Sequence, residues 1–222
     1  MNVRAMLAEF IATFALIFVG VGAIAANQIS NGTSGLVGVA LAHGLILVVM
    51  ITATAAISGG HVNPAVTIGL WAARKIDTAH AIGYVIAQCF GAILGTYLIQ
   101  LATPYWALKA TGMGIPAVGA GIPIYMAFIM EVILTFFLVF AVYGTAVDKR
   151  APKMGGLFIG LTVTLDILVG APVSGAAMNP ARHFGPALLN GQFENMWLYW
   201  VAPIIGGILA ATVYKQAFEG NS

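Results

Sequence analysis

The chain has 222 residues, 60% hydrophobic and 7% charged, with a net charge of +2 and a mean hydropathy of +0.97. Soluble domains carry about 25% charged residues, so a soluble domain is excluded and a polytopic membrane protein is expected. The small charge gives no ground for a nucleic-acid partner, and the single Cys89 excludes an intramolecular disulfide.

A spanning helix needs about 20 mostly apolar residues. The first such run, roughly 5–26, contains Glu9 and is too long for the apolar core of a signal peptide. After the polar turn "NQISNGTSG" comes a second run at 35–57. A shorter apolar piece at 63–72 opens with Asn63, Pro64 and Ala65, and a third full run covers 79–101. The second half has runs at 123–145, 155–172 and 196–216, with the turn "DKRAPK" at 148–153. Between its last two runs lies another short piece, 179–190, opening with Asn179, Pro180 and Ala181. Ten helical residues rise about 15 Å, half of a roughly 30 Å hydrocarbon core. Neither short piece spans alone; end to end they make one crossing.

The two Asn-Pro-Ala triplets are 116 residues apart, and at that offset Ser58, Gly59 and Gly69 coincide with Ser174, Gly175 and Gly185. "EFIATF" from Glu9 is echoed by "EVILTF" from Glu131. Each half holds three spans, an odd number, so the second half enters the membrane inverted. Inverted repeats with interrupted segments point to a site near the midplane. The expected architecture is an all-α membrane protein: six transmembrane helices and two re-entrant half-helices. It forms one unit, 1–222, with repeats at about 1–110 and 120–222.

Lys and Arg placement sets the direction. With the N-terminus in the cytoplasm, Arg4, Arg74, Lys75, Lys149, Arg150, Lys153 and Lys215 are inside, and only Lys109 and Arg182 are outside. An even number of spans returns the C-terminus to the cytoplasm.

Proline at the first helical position sacrifices no hydrogen bond, and asparagine before it is a favoured N-cap. The cap uses the amide oxygen and leaves the amide NH2 as donor. Two half-helices meeting by their N-termini aim two such donors and two positive dipole ends at one point. The solute there accepts hydrogen bonds and is not a cation; water and other small neutral molecules qualify. Before each Asn the chain is non-helical. The carbonyls of Gly59, Gly60, His61 and Val62, and of Gly175, Ala177 and Met178, are therefore expected to line a wet path. Glu9 and Glu131 are intramembrane acids in need of partners, and are assigned to brace the loops by accepting their N–H bonds. A helix-end acid reaching the headgroups is the alternative, and it suits Glu9 better than Glu131.

On these paired loops in an inverted repeat, the chain resembles the aquaporin (major intrinsic protein) family along its whole length. The resemblance implies a pore in each protomer and a homotetramer. It also implies a four-residue outer filter: His43, Ile167, Ala176 and Arg182. Strict water channels of the family usually have an aromatic in place of His43 and a histidine in place of Ile167. The set here, with "ISGGHVNPAVTIGLW" and "MNPARHFGPAL", resembles the plant vacuolar (tonoplast) branch and ammonia-permeable members. The opening is expected to be wider, with an apolar wall. Arg182 repels cations and its N–H fork replaces hydration for a neutral solute. His183 stands where glycerol facilitators usually carry Asp, and Tyr199 and Trp200 match an aromatic pair of water-type members. Asp166, beside Ile167, either meets a donor or lines a wet crevice; a one-residue register shift would turn it into the pore.

The function that follows is passive conduction of water in single file, with some ammonia, hydrogen peroxide or urea permeability and exclusion of protons and ions. The alternatives are a glycerol or small-solute facilitator, or an ion-coupled transporter. Two asparagines at the midplane offer a coupling ion nothing to titrate. An enzyme is not expected, because Cys89 has no evident His or Asp partner and no metal-ligand cluster or nucleotide loop is present. No cofactor or metal is expected. Partners are small neutral solutes and the lipid bilayer. The short termini point to a prokaryotic cell membrane, with the vacuolar membrane as the alternative.

Overall fold

The computed structural model describes residues 2–152 and 154–219; the predicted cytoplasmic charge of Lys153 lies outside them. Among these residues nine α-helices run in chain order: α1 (Val3–Ile29), α2 (Gly35–Ser58), α3 (Pro64–Ala72), α4 (Thr78–Ala102), α5 (Tyr105–Ala110), α6 (Ile124–Val142), α7 (Gly155–Ser174), α8 (Pro180–Leu189) and α9 (Met196–Ala217). Among the described residues six helices are long and apolar enough to cross a membrane, α6 being extended by a π-turn over Tyr143–Val147. Every predicted span is found within a few residues. The short α5 and the 3-10 turn Gly112–Gly114 were not expected, because six and three residues carry too little periodicity to read.

Helix ends follow from local chemistry. Asn2 and Asp77 cap α1 and α4 by accepting backbone N–H bonds in the first turn. Gly59 and Gly175 end α2 and α7 in the left-handed conformation, at φ +91° and +80°, which glycine adopts without steric penalty.

The packing is unchanged when the halves are exchanged. α1 packs on α2 and α4, as α6 packs on α7 and α9, and α2 meets α7 across the middle. Each half-helix lies against the last span of the other half, α3 on α9 and α8 on α4. Glycine permits this close approach: a Cβ on Gly69 would stand 2.8 Å from the Gly207 carbonyl, and one on Gly185 2.6 Å from Ala92 backbone. The halves are interlocked and share one core.

One end of the bundle collects charge. Lys75 pairs with Glu219, Arg150 grips Asp148 (2.5 Å) and donates to the Phe218 carbonyl (2.6 Å), and Lys215 donates to the Ala73 carbonyl (2.7 Å). The Arg150 fork holds the Asp148 carboxyl well below its usual range. Lys75, helped by the Tyr143 hydroxyl, lowers that of Glu219.

Candidate functional site

Asn63 and Asn179 have extended backbones, at φ −154° and −146°, and each is followed by proline at the first helical position. The Asn63 side-chain oxygen accepts from Ala65 N (2.8 Å); that of Asn179 accepts from Ala181 N (3.0 Å) and Arg182 N (3.2 Å). Contrary to the expectation that capping leaves the amide NH2 free, neither amide nitrogen is wholly free. Asn63 Nδ2 donates to the Met178 carbonyl (2.8 Å), and Asn179 Nδ2 donates to the Val62 carbonyl (3.0 Å). One N–H of each amide therefore ties the two half-helix tips together, and one remains without an acceptor among the described residues.

Both asparagines line a continuous cavity of about 410 Å³, and His43, Ile167, Ala176 and Arg182 line it too. Pro64, Ala65, Pro180 and Ala181 are buried behind it. They shape the half-helix starts and do not form the wall. Gly60, His61, Val62, Gly175, Ala177 and Met178 line the cavity; Gly59 does not, contrary to expectation. Its conformation is spent on ending α2. The Val62 carbonyl already accepts from both Asn179 and Thr13 Oγ1 (3.3 Å), so its two lone pairs are filled before any solute arrives.

These loops hold unusual conformations: Val62, Ala176 and Met178 have φ of +55°, +46° and +51°. Non-glycine residues there cost about 1–3 kcal/mol each unless the surroundings enforce them. Two buried carboxylates do so. Glu9 accepts from Ser58 Oγ (2.6 Å), His61 N (2.9 Å), Val62 N (2.6 Å) and Gln88 Nε2 (2.7 Å). Glu131 accepts from Ser174 Oγ (2.7 Å), Ala177 N (2.8 Å) and Met178 N (2.7 Å). Glu9 is fully buried and has the larger donor set, so it does not reach for headgroups.

His43 Nδ1 lies 2.8 Å from the Val39 carbonyl. A carbonyl only accepts, so Nδ1 carries the hydrogen and Nε2 of the neutral ring is an acceptor. The ring rests on Gly20, where a Cβ would stand 2.4 Å from Nε2. Arg182, buried, donates from Nη1 to the Gly114 carbonyl (2.7 Å). Gly20 and Gly114 escaped sequence reasoning. The run "GMG" at 112–114, with all three residues at positive φ, was the available signal.

Other polar residues have settled places. His61 Nδ1 contacts Thr67 Oγ1 (3.1 Å), whose own hydrogen goes to the Asn63 carbonyl (3.0 Å). Tyr199 donates to the Ser174 carbonyl (2.7 Å) and stacks on His183 at 4.3 Å. Asp166 is buried and off the cavity wall, so the register that puts Ile167 in the pore is the observed one; its Oδ2 has no partner among the described residues. Among those residues no three His, Cys, Asp or Glu side chains gather as a metal site.

The profile of the family described as Major intrinsic protein matches residues 1–214. The chain is 47% identical to Aquaporin TIP4-4 of Zea mays, over 97% of this chain and 87% of that protein. It is 45% identical to Probable aquaporin TIP3-2 of Arabidopsis thaliana, over 96% and 83% of the respective lengths. Among solved structures, the aquaglyceroporin from Plasmodium falciparum superposes with a TM-score of 0.86 at 28% identity, covering 98% of this chain and 97% of that one. Six spans, two half-helices joined at their asparagines, one cavity through the core and these relatives agree. The chain belongs to the major intrinsic protein (aquaporin) family: it is a multi-pass membrane channel passing small neutral solutes passively, and not an enzyme.

Proposed function

We propose that this channel conducts water in single file and also admits ammonia, hydrogen peroxide or urea, while excluding protons and ions. The observation that carries the reading is the pair of amides at the joined tips: Asn63 and Asn179 line the cavity, and each keeps one N–H that no acceptor among the described residues takes. A passing water accepts there. The positive ends of α3 and α8 turn its oxygen to the midplane, which breaks the donor chain a proton needs. At the filter, Arg182 offers donors and His43 Nε2 offers an acceptor, opposite the apolar Ile167 and the small Ala176. Water and ammonia, each both donor and acceptor, satisfy both sides. Glu9 and Glu131 act as the braces of the two loops.

The whole chain, 1–222, works as one channel unit with repeats at about 1–110 and 120–222, both termini in the cytoplasm, assembled as a homotetramer. The charged end holding Lys75, Arg150 and Lys215 supports this orientation. The TIP-named plant relatives favour the vacuolar membrane over the prokaryotic cell membrane.

Stopped-flow light scattering on proteoliposomes, with water and ammonia measured for the parent and His43→Phe, tests the reading. Selective loss of ammonia flux in the variant is the expected result. An unchanged ratio of the two fluxes would remove His43 from the filter. Glycerol is measured beside them, because the Plasmodium relative is named an aquaglyceroporin.

A further inference from the structure

A second recess, of about 390 Å³, lies at the turn between α3 and α4, lined by Trp71, Arg74, Lys75, Ile76, Asp77 and Thr78. It shares no lining residue with the channel. The turn closes on its own backbone: Arg74 N donates to the Trp71 carbonyl (2.9 Å) and Lys75 N to that of Leu70 (2.8 Å). Ile76 packs against the core and Lys75 turns to Glu219, which leaves Trp71, Arg74, Asp77 and Thr78 exposed. The Trp71 indole donates to Thr78 Oγ1 (3.0 Å), which holds the ring across the recess.

The charges there are unequally satisfied. Lys75 is paired with Glu219, and both Asp77 oxygens accept from His80, one from its backbone N (3.0 Å) and one from its ring (2.6 Å). Arg74 is exposed and has no acidic partner among the described residues. Above the recess, Thr78 starts the face of α4 that continues through Ile82, Ile86 and Phe90 at four-residue intervals. These three are 57%, 52% and 60% exposed. From Ile82 to Phe90 they make an apolar track about 12 Å long.

An unpaired guanidinium matches phosphate geometry, a half-exposed tryptophan suits the membrane interface, and the track continues into hydrocarbon. We propose that this recess binds an anionic phospholipid, with Arg74 on the headgroup phosphate, Trp71 at glycerol depth and one acyl chain along Ile82, Ile86 and Phe90. The excess of positive charge from Arg74 disfavours a choline headgroup, and the apolar track gives no hold to a free phosphate ion.

The test counts ligand bound to the detergent-purified protein by native mass spectrometry, offering dioleoylphosphatidylglycerol, dioleoylphosphatidylcholine or inorganic phosphate. The anionic lipid is expected to be retained over the other two. Arg74→Gln should lower its occupancy about fivefold, the share of one basic side chain at an anionic lipid surface. Arg4→Gln, which removes another exposed cation, should not. Unaltered water flux in Arg74→Gln establishes that the variant is folded. Equal retention of both lipids, binding of phosphate alone, no effect of Arg74→Gln, or equal losses in the two variants would each overturn the proposal.

Discussion

The Asn63 amide nitrogen lies 2.8 Å from the Met178 carbonyl oxygen, 115 positions further along the chain. With the reciprocal bond from Asn179 to Val62 (3.0 Å), it makes the two half-helix tips a single unit. Asn63→Ala removes the cap of α3 and leaves Met178 without that donor. A lost cap costs about 1 kcal/mol and a stranded buried acceptor about 1–3 kcal/mol. The thermal midpoint in detergent and the water flux in proteoliposomes should both fall; parental values for either would contradict the coupling.

The two braces should differ in weight. Glu9 accepts four hydrogen bonds, one from Gln88, and Glu131 accepts three. Hydrogen bonds to a charged group contribute about 1.5–3 kcal/mol each, and glutamine turns one acceptor into a donor facing other donors. Both Glu9→Gln and Glu131→Gln should lower the thermal midpoint, the first by more. A smaller drop for Glu9→Gln would show that the count of donors does not rank them.

Gly114 places its carbonyl on Arg182 while a Cβ at its position would stand 2.7 Å from Val21 Cγ1, at φ +69°. Gly114→Ala should push the 112–117 segment outward and slacken the guanidinium, at a stability cost of about 1–3 kcal/mol from overpacking. The ratio of urea to water flux is the readout, and it should change. Adding Val21→Ala, which clears the collision, should recover part of the parental ratio.

Mercurials should leave water flux unaltered. Ala176 puts no thiol at the proposed filter, and Cys89 packs against the core from α4, off the cavity wall. Strong inhibition that disappears in Cys89→Ser would mean that mercury at Cys89 reaches the channel through the helix packing.

Acid should loosen the charged end. Lys75 and Tyr143 hold the Glu219 carboxyl below its ordinary value, so its contribution is complete above the unfolded pKa of about 4.3. It is lost as pH falls through the lower folded value. Melting midpoints of parent and Glu219→Gln should differ at pH 7 and converge as the pH drops below about 4; a constant gap would contradict the linkage.

Much of the fold was legible because a membrane makes local demands. Backbone groups in hydrocarbon must be satisfied within the segment, so run length announced the six spans, and Asn-Pro announced where α3 and α8 begin. The proposed filter residues Ile167, Ala176 and Arg182 came from the family resemblance, through their offsets from Asn179, and His43 through its place in the second span. Asp166 shows the limit: only the rotation of α7 against α6 and α2 decided that Ile167 and not its neighbour faces the cavity.

The amino-acid order by itself determined which stretches cross, which stop halfway and which residues cap them, because those outcomes depend on neighbours within a helical turn. The tertiary structure alone decided that each asparagine spends one N–H on the opposite loop, that Glu9 gathers Gln88 with three loop donors, and that Gly114 anchors Arg182. Those bonds join residues from 49 to 117 positions apart. Their formation rests on glycine-permitted close packing of the two interlocked halves, which no single segment records.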